Sequence, residues 1–308
     1  MIGKIYGTGS YVPPDVIDNN NLANMVETSD AWIRERTGIA RRHIAKEENA
    51  AAMAAKAAES ALKAAGIGVE EIEFIIVATM TSDVILPCAA CEVQKAIGAV
   101  NAVCFDLNAA CSGFLFAYQT AQAYIASGTY QCGLVIGAEC LSKLVDWKDR
   151  TTCILFGDGA GAVVLKGEAR DNSLSMKSYS DGSKGGALTC EQNSWIRMDG
   201  QAVFKFAVKR VPECILGLLE EKQIPVQEVD YFILHQANRR IVEAVARKLK
   251  QPVEKFPMNL EEYGNTSSAS IPLLLDELNR QGRLKRGMKI VVAGFGAGLS
   301  WGASYLKW

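Results

Sequence analysis

The sequence predicts an α/β protein made of two similar βαβ halves, and three observations carry that reading. The segment 66–78, Gly-Ile-Gly-Val-Glu-Glu-Ile-Glu-Phe-Ile-Ile-Val-Ala, lines up with 223–235, apolar against apolar and Glu73 against Asp230. Inside these segments Phe74–Ala78 and Tyr231–Leu234 are unbroken apolar runs, the pattern of central parallel strands covered on both faces. Further along, Cys111 and Asn265 each open a helix-like stretch, and the interval to the stopping glycine, Gly128 or Gly282, is the same in both.

Taken in order, the first half reads as a helix over Ala50–Ala65, the strand Phe74–Ala78, and a helix-like stretch from Cys111 through Tyr124 that stops at Ser127 and Gly128. Strands over 133–138 and 162–165 follow. The second half repeats this with a helix over 207–222, the strand Tyr231–Leu234, and a stretch from Asn265 through Leu278 that stops at Gln281 and Gly282. Strands over 287–293 and 303–306 complete it. The chain divides into residues 1 to about 170 and about 171 to 308, with the glycine-rich run 181–186 in or near the connection. Helices are expected on both faces of parallel sheets, with ligands at the carboxyl ends of the strands. A pseudo-twofold axis between the halves would make Cys111 and Asn265 equivalent and would bring His235, at the end of the repeated strand, toward them.

Composition narrows the function. At 308 residues, 49% of them apolar, the chain buries a sizeable core, and 27 Gly against 8 Pro suits a globular enzyme. The 33 basic and 34 acidic side chains nearly cancel, so there is no global field to hold nucleic acid or an anionic membrane. Residues 1–14 lack the apolar core of a signal peptide, and no apolar run reaches the length of a membrane span. Nine cysteines, an odd number scattered through apolar segments, point to a reduced, cytoplasmic protein.

Cys111 stands where a strand gives way through small residues to a helix, in Phe105-Asp-Leu-Asn-Ala-Ala-Cys-Ser-Gly-Phe-Leu. A thiol at a helix N-terminus feels the positive end of the dipole, which favours thiolate and suits a nucleophile. The plainer reading, a small buried hydrophobe, is assigned to the other eight cysteines. Of the two histidines, His43 reads as a surface or packing residue, whereas His235 closes a strand at the end where α/β folds build their sites. Asn265, in the polar run Asn-Thr-Ser-Ser-Ala-Ser, would pass for a helix cap without its pairing to Cys111. The glycine strings 157–161 and 294–302 precede strands, so neither is a nucleotide loop, which should open a helix. The second offers backbone NH groups to an oxyanion. A single Cys88-Ala-Ala-Cys91, with no second pair or nearby His, reads as the start of a helix packed in the core rather than a metal or redox centre.

Six motifs in order then resemble the 3-oxoacyl-acyl carrier protein synthase III family of the thiolase-like superfamily. They are 28–39 (Thr-Ser-Asp-Ala-Trp-Ile-Arg-Glu-Arg-Thr-Gly-Ile), 108–114 (Asn-Ala-Ala-Cys-Ser-Gly-Phe), 156–161, 235–238 (His-Gln-Ala-Asn), 264–267 (Gly-Asn-Thr-Ser) and 294–302. The resemblance implies a thiolase fold layered α-β-α-β-α, a homodimer, and a Cys111, His235 and Asn265 triad. Cys-His-His and Cys-His-Cys relatives do not fit, since no second His follows in the later half and no Cys follows Cys214.

The implied reaction joins a short acyl-CoA, acetyl or a branched primer, to malonyl-acyl carrier protein with loss of CO2, using no metal and no cofactor. The Cys111 and Ala297 amides would form the oxyanion hole. Trp32, Arg36, Thr37, Arg150, Gly200, Phe204, Asn238 and Phe295 match positions lining the CoA and pantetheine channel. Leu86 matches the end of the acyl pocket, supplied across the dimer interface. Gln236, Ala237, Asn238, Arg239 and Arg240 fall where the carrier protein docks. Alternatives are a specialised relative of secondary metabolism and a non-catalytic carrier-protein-binding scaffold, the latter disfavoured by the intact triad.

Overall fold

A computed structural model describes residues 1–169, 171 and 173–308, and most of its strands gather into two sheets. The first holds β1 (Ile2–Tyr11), β2 (Phe74–Ala78), β3 (Val103–Leu107), β4 (Cys132–Glu139) and β5 (Gly159–Glu168), in the order β1-β5-β4-β2-β3. The second holds β6 (Leu174–Ser180), β7 (Tyr231–Leu234), β8 (Lys289–Gly296) and β9 (Ser300–Lys307), in the order β7-β8-β9-β6. The sheets are mixed rather than parallel. Strands β2, β3 and β4 run parallel, as do β7 and β8, but β1, β5, β6 and β9 pair antiparallel. Between β8 and β9 only residues 297–299 intervene, too few for the crossover that parallel neighbours need.

The longer helices are α1 (Asp30–Thr37), α2 (Ala50–Ala65), α3 (Ala89–Ile97), α4 (Gly113–Ser127), α5 (Gly200–Glu221), α6 (Arg239–Leu249) and α7 (Ser270–Arg280). They complete five layers, α-β-α-β-α. Ile75 and Val77 of β2 face α2 and α3 on the outside, while Phe74, Ile76 and Ala78 face α4 and α7, which fill the space between the sheets. On the far side α5 and α6 cover Phe232, Leu234, Val291 and Ala293. Helix α2 owes its regularity to alanine, the best helix former, and to Asn49, whose side chain accepts from Ala52 N at 2.7 Å. Its small side chains let β1 come against its backbone. A Cβ on Gly7 or Gly9 would fall 2.4 or 2.3 Å from the carbonyls of Ala61 and Ala57.

Three expectations need correction. Helix α5 starts at Gly200, not 207, because the Asp199 carboxylate caps Gln201 N and Ala202 N, each at 3.0 Å. The glycine-rich run 181–186 lies not in the connection itself but after β6, the first strand beyond it, where it forms a tight turn. The chain changes sheet between Glu168 and Leu174, and residue 170, the expected boundary, lies outside the described residues.

The third concerns the repeat. Ala110, at φ 46°, and Ser267, at φ 49°, each open a single tight turn, Ala110–Ser112 and Ser267–Ala269, leading into α4 and α7. The structural counterpart of Cys111 is therefore Ser268, not Asn265, and the equal spacing to the stopping glycines is offset by an α7 of 11 residues against 15 in α4. What brings Asn265 to the first half is backbone pairing. Asn265 N donates to Leu155 O at 2.8 Å and Gly157 N donates to Asn265 O at 3.1 Å, joining Phe156 and Asn265 in a parallel bridge.

Strand β3 forms an open sheet edge, with Val103 exposed, and on the adjoining loops Ile85, Leu86 and Val100 are more than four-fifths exposed. No helix of the described residues is long and apolar enough to cross a membrane.

Candidate active site

Cys111 sits in the tight turn between β3 and α4, 5% exposed. The same turn is tied to the β8–β9 turn: Ser112 Oγ donates to Ser300 O at 3.2 Å, and Ser300 Oγ lies 3.0 Å from Ser112 Oγ and 3.1 Å from Ala297 O. Among the described residues the amides of Cys111 and Ala297 donate to no backbone carbonyl, so both are available to a ligand oxygen.

His235, 1% exposed, is fixed at the end of β7 by its own amide, which donates to Ala293 O at 2.8 Å. Its Nδ1 lies 2.7 Å from Ser270 Oγ, and its ring packs edge-on against Phe295 with centroids 5.1 Å apart. Ser270 Oγ also reaches Ser267 O at 2.9 Å, so its single proton can satisfy either that carbonyl or the histidine. The Asn265 carbonyl Oδ1 accepts from Ser267 N at 2.9 Å, which leaves its amide NH2 as the free donor.

Cys111, His235 and Asn265 line one narrow cavity of about 120 Å³. Beyond Cys111 lies a second cavity, about 460 Å³, with Met80, Leu144, Leu188 and Ile196 as apolar wall and Cys190, Glu191, Gln192 and Asn193 at its polar end. The thiol thus stands where a slim passage meets a wider chamber. Burial dominates its electrostatics. The helix-terminus argument predicted a lowered thiol, but desolvation pushes Cys111 up to about 12, against smaller lowering by Ser267. Burial likewise drives His235 down to about 3, so its ring is neutral at any working pH. A further buried acid, Glu139 at the end of β4, is raised to about 7 by desolvation.

The structure sorts the remaining candidates. Gly200, Phe204, Ala237, Asn238 and Phe295 line the narrow cavity, and Ala297 lines the wider one. Trp32 lies under two guanidinium groups, Arg36 at 4.3 Å and Arg150 at 5.0 Å, and the Asn238 side chain ties this group to the cavity by donating to Arg36 O at 3.1 Å. Thr37 does not join them. It is buried, its hydroxyl donating to Ile33 O and accepting from Ile39 N within the end of α1.

Gln236 is not a surface docking residue either: it is 1% exposed, with its amide on Leu234 O and its carbonyl on Asn259 N. Arg239 is committed to Glu261 at 3.4 Å, which leaves Arg240 as the exposed cation of that motif. Leu86, 84% exposed, lines neither cavity within its own chain.

His43 packs against Tyr263 with its Nδ1 on Pro13 O at 2.6 Å. Cys88 and Cys91 open α3 with sulfurs 3.4 Å apart, only partly buried, and Cys190 is exposed, so the cysteines other than Cys111 are not uniformly core residues. Both glycine strings run into strands, 157–161 into β5 and 294–302 through the β8–β9 turn. Sequence reasoning passed over Glu139, Ser267, Ser270 and Ser300. A lone acid closing an apolar strand at 139 was the one available signal.

Gly296 sets the approach of the two turns. A Cβ there would stand 2.8 Å from Cys111 N and 2.9 Å from Cys111 Cβ, so Gly296→Ala must push the Cys111 turn away from Ala297. If these two amides hold a developing oxyanion, separating them by a few tenths of an ångström lowers acyl transfer by about 10²-fold with the fold retained, read as burst rate against melting temperature. A wild-type burst in this variant would remove the oxyanion role from this pair.

The family description 3-Oxoacyl-[acyl-carrier-protein (ACP)] synthase III fits residues 105–182, and its C-terminal counterpart fits 219–308. A Clostridium botulinum (strain Loch Maree / Type A3) protein, beta-ketoacyl-[acyl-carrier-protein] synthase III, is 47% identical, covering 99% of this chain and 98% of its own. The crystal structure of 3-oxoacyl-[acyl-carrier-protein] synthase III from Aquifex aeolicus VF5 superposes with TM-score 0.97 at 46% identity, covering 99% of this chain and 100% of that one. The Pseudomonas aeruginosa PAO1 structure of the same name gives 0.95 at 39%, covering 100% and 98%.

Proposed function

The chain belongs to the 3-oxoacyl-[acyl-carrier-protein] synthase III family, and from that premise we propose how its residues run the initiating condensation of fatty-acid synthesis. The observation that carries the reading is the position of Cys111, held at the junction of two cavities with His235 and Asn265 on the narrow side.

In the first half-reaction a short acyl-CoA threads the narrow cavity. Its adenine and phosphates meet Trp32, Arg36 and Arg150, and its thioester reaches Cys111. Cys111 Sγ attacks the carbonyl as its S–H bond breaks, the Cys111 and Ala297 amides hold the developing oxyanion, and CoA leaves as its thiol, taking up that proton. The acyl group then lies in the wider chamber, whose apolar wall admits a branched or longer primer as well as acetyl.

Malonyl-acyl carrier protein enters next. The Asn265 amide and the His235 Nε2–H donate to its thioester oxygen as CO2 departs, stabilising the enolate that attacks the acyl-enzyme. For His235 to donate through Nε2, its Nδ1 must accept, and the Ser270 hydroxyl turned from Ser267 O toward the ring supplies that proton. The chemistry calls for no metal or cofactor, CoA entering only as substrate.

The halves 1–170 and 171–308 belong to the same reading, supported by the change of sheet between Glu168 and Leu174. So does a homodimer, since the open edge of β3 with exposed Val103, Ile85 and Leu86 suits a second copy, which would receive Leu86 at its chamber. The carrier protein, acidic in this family, would dock beside Arg240. Nine free cysteines accord with a reducing cytoplasm.

The test is incubation of the purified protein with a competing panel of acetyl-, propionyl-, isobutyryl- and longer acyl-CoAs, followed by intact mass and peptide mapping. An acyl mass on Cys111 is expected, and the panel ranks the primers. No adduct from any member would overturn the reading.

A further inference from the structure

Helix α3 opens on two thiols that the condensation does not use. Cys88 caps the helix, and Cys91 lies one turn in, its amide donating to Cys88 O at 3.0 Å. Their side chains turn to the same side, with the sulfurs 3.4 Å apart, and neither residue is fully buried. Leu86 precedes the pair by two residues, on an exposed loop. Cys190 offers the contrast: it is exposed, and its sulfur meets the Glu191 and Ser194 carbonyls rather than a second thiol.

The surroundings of the pair favour a bond between the sulfurs over an anion on Cys88. A thiolate at a helix N-terminus draws on the free amides of the first turn. Here the Asp106 carboxylate already accepts from Ala89 N and Ala90 N, each at 2.8 Å, and Cys88 O accepts from Cys91 N and Glu92 N. Burial, with the Asp106 charge adding to it, pushes the Cys88 thiol up. A dithiol whose reduced form gains nothing from ionisation gives up less on oxidation, so its disulfide resists reduction.

We propose that Cys88 and Cys91 form a redox-reactive dithiol, closed to an intramolecular disulfide by small-molecule disulfides such as glutathione disulfide and reopened by small dithiols. One protein thiol loses its proton and attacks a sulfur of the oxidant, whose S–S bond breaks to release one reduced thiol. The second protein thiol then loses its proton and attacks the sulfur of the first, releasing the other reduced thiol. Two protein thiols are oxidised to one disulfide, and one small disulfide is reduced to two thiols. Closure draws the sulfurs from 3.4 Å to about 2.05 Å within a single helical turn, which leaves the fold in place and pins the backbone that follows Leu86. This chemistry stands apart from the condensation and does not rest on the role of Cys111.

The test uses the full chain, reduced, freed of reductant, and titrated with glutathione disulfide in mildly alkaline buffer until the exposed Cys190 is loaded. Remaining thiols are then alkylated with iodoacetamide and mapped by peptide mass. Cys190 is expected to carry one glutathione. The peptide holding Cys88 and Cys91 is expected two hydrogens lighter, unalkylated and free of glutathione, because a thiol already in contact closes the ring about 10²-fold or more ahead of a second glutathione. Dithiothreitol restores both thiols. In Cys88→Ser and in Cys91→Ser the surviving thiol has no partner and keeps its glutathione as Cys190 does. A wild-type peptide with both thiols alkylated, or with glutathione on either, overturns the proposal, as does a bridge from either cysteine to a second chain on a non-reducing gel. These readings come from the wild-type chain and hold whether or not the variants fold.

Discussion

Cys111→Ser is expected to take up no acyl group from any acyl-CoA, with release of CoA falling more than about 10³-fold. The side chain is 5% exposed in a tight turn, and exchange of sulfur for oxygen leaves the volume and the backbone nearly unchanged. The loss is therefore chemical. A serine hydroxyl is far less acidic than a thiol, and the neighbouring ring, neutral with a conjugate acid at about 3, is too weak a base to activate it. Intact mass after incubation with acetyl-CoA reads the result directly, and an oxygen ester formed by the substituted hydroxyl at a useful rate would mean that the site can activate a hydroxyl after all. Decarboxylation of malonyl-acyl carrier protein, measured alone, should survive this change, because its donors stay in place.

His235→Ala and Asn265→Asp are expected to show the complementary pattern. On the proposed mechanism each removes a donor to the thioester oxygen that becomes an enolate, so condensation should fall by about 10²- to 10³-fold while acylation of Cys111 changes by only a few-fold. Asp is the sharper probe at 265. Its Oδ1 can still accept from Ser267 N and so holds the turn, but the NH2 donor is gone. Single-turnover acylation and CO2 release are measured separately on each variant. Equal damage to both steps would show that the residues shape the site instead of stabilising the enolate.

The legible parts of this fold were those with local causes. Phe74–Ala78 and Tyr231–Leu234 are strands because unbroken apolar runs can be buried on both faces, and α2 is a helix because alanine and an Asn cap favour one. Cys111, His235 and Asn265 were picked out by ordered motifs, and all three line one cavity. Some of the misreadings had causes that distance along the chain conceals. Counting to a stopping glycine paired Cys111 with Asn265, whereas the backbone turns at Ala110 and Ser267 pair it with Ser268. Gln236 turned inward follows from tertiary packing, whereas the local bonds of the Thr37 hydroxyl and the three-residue connection that makes β8 and β9 antiparallel are short-range causes. The dipole argument for a lowered Cys111 thiol left out burial, whose desolvation raises the thiol more than one turn of helix lowers it.

The pairing of Phe156 with Asn265 has a mechanical consequence. Each half contributes residues to the cavity at Cys111, and the two are stitched together there by main-chain hydrogen bonds. So fastened, the halves are held together at the point where jaws would have to part. Whatever reacts at Cys111 must arrive as a slender, flexible arm slid in end-first while the bulky body that bears it stays outside, so selection begins with the width of what is threaded, before any bond is made or broken.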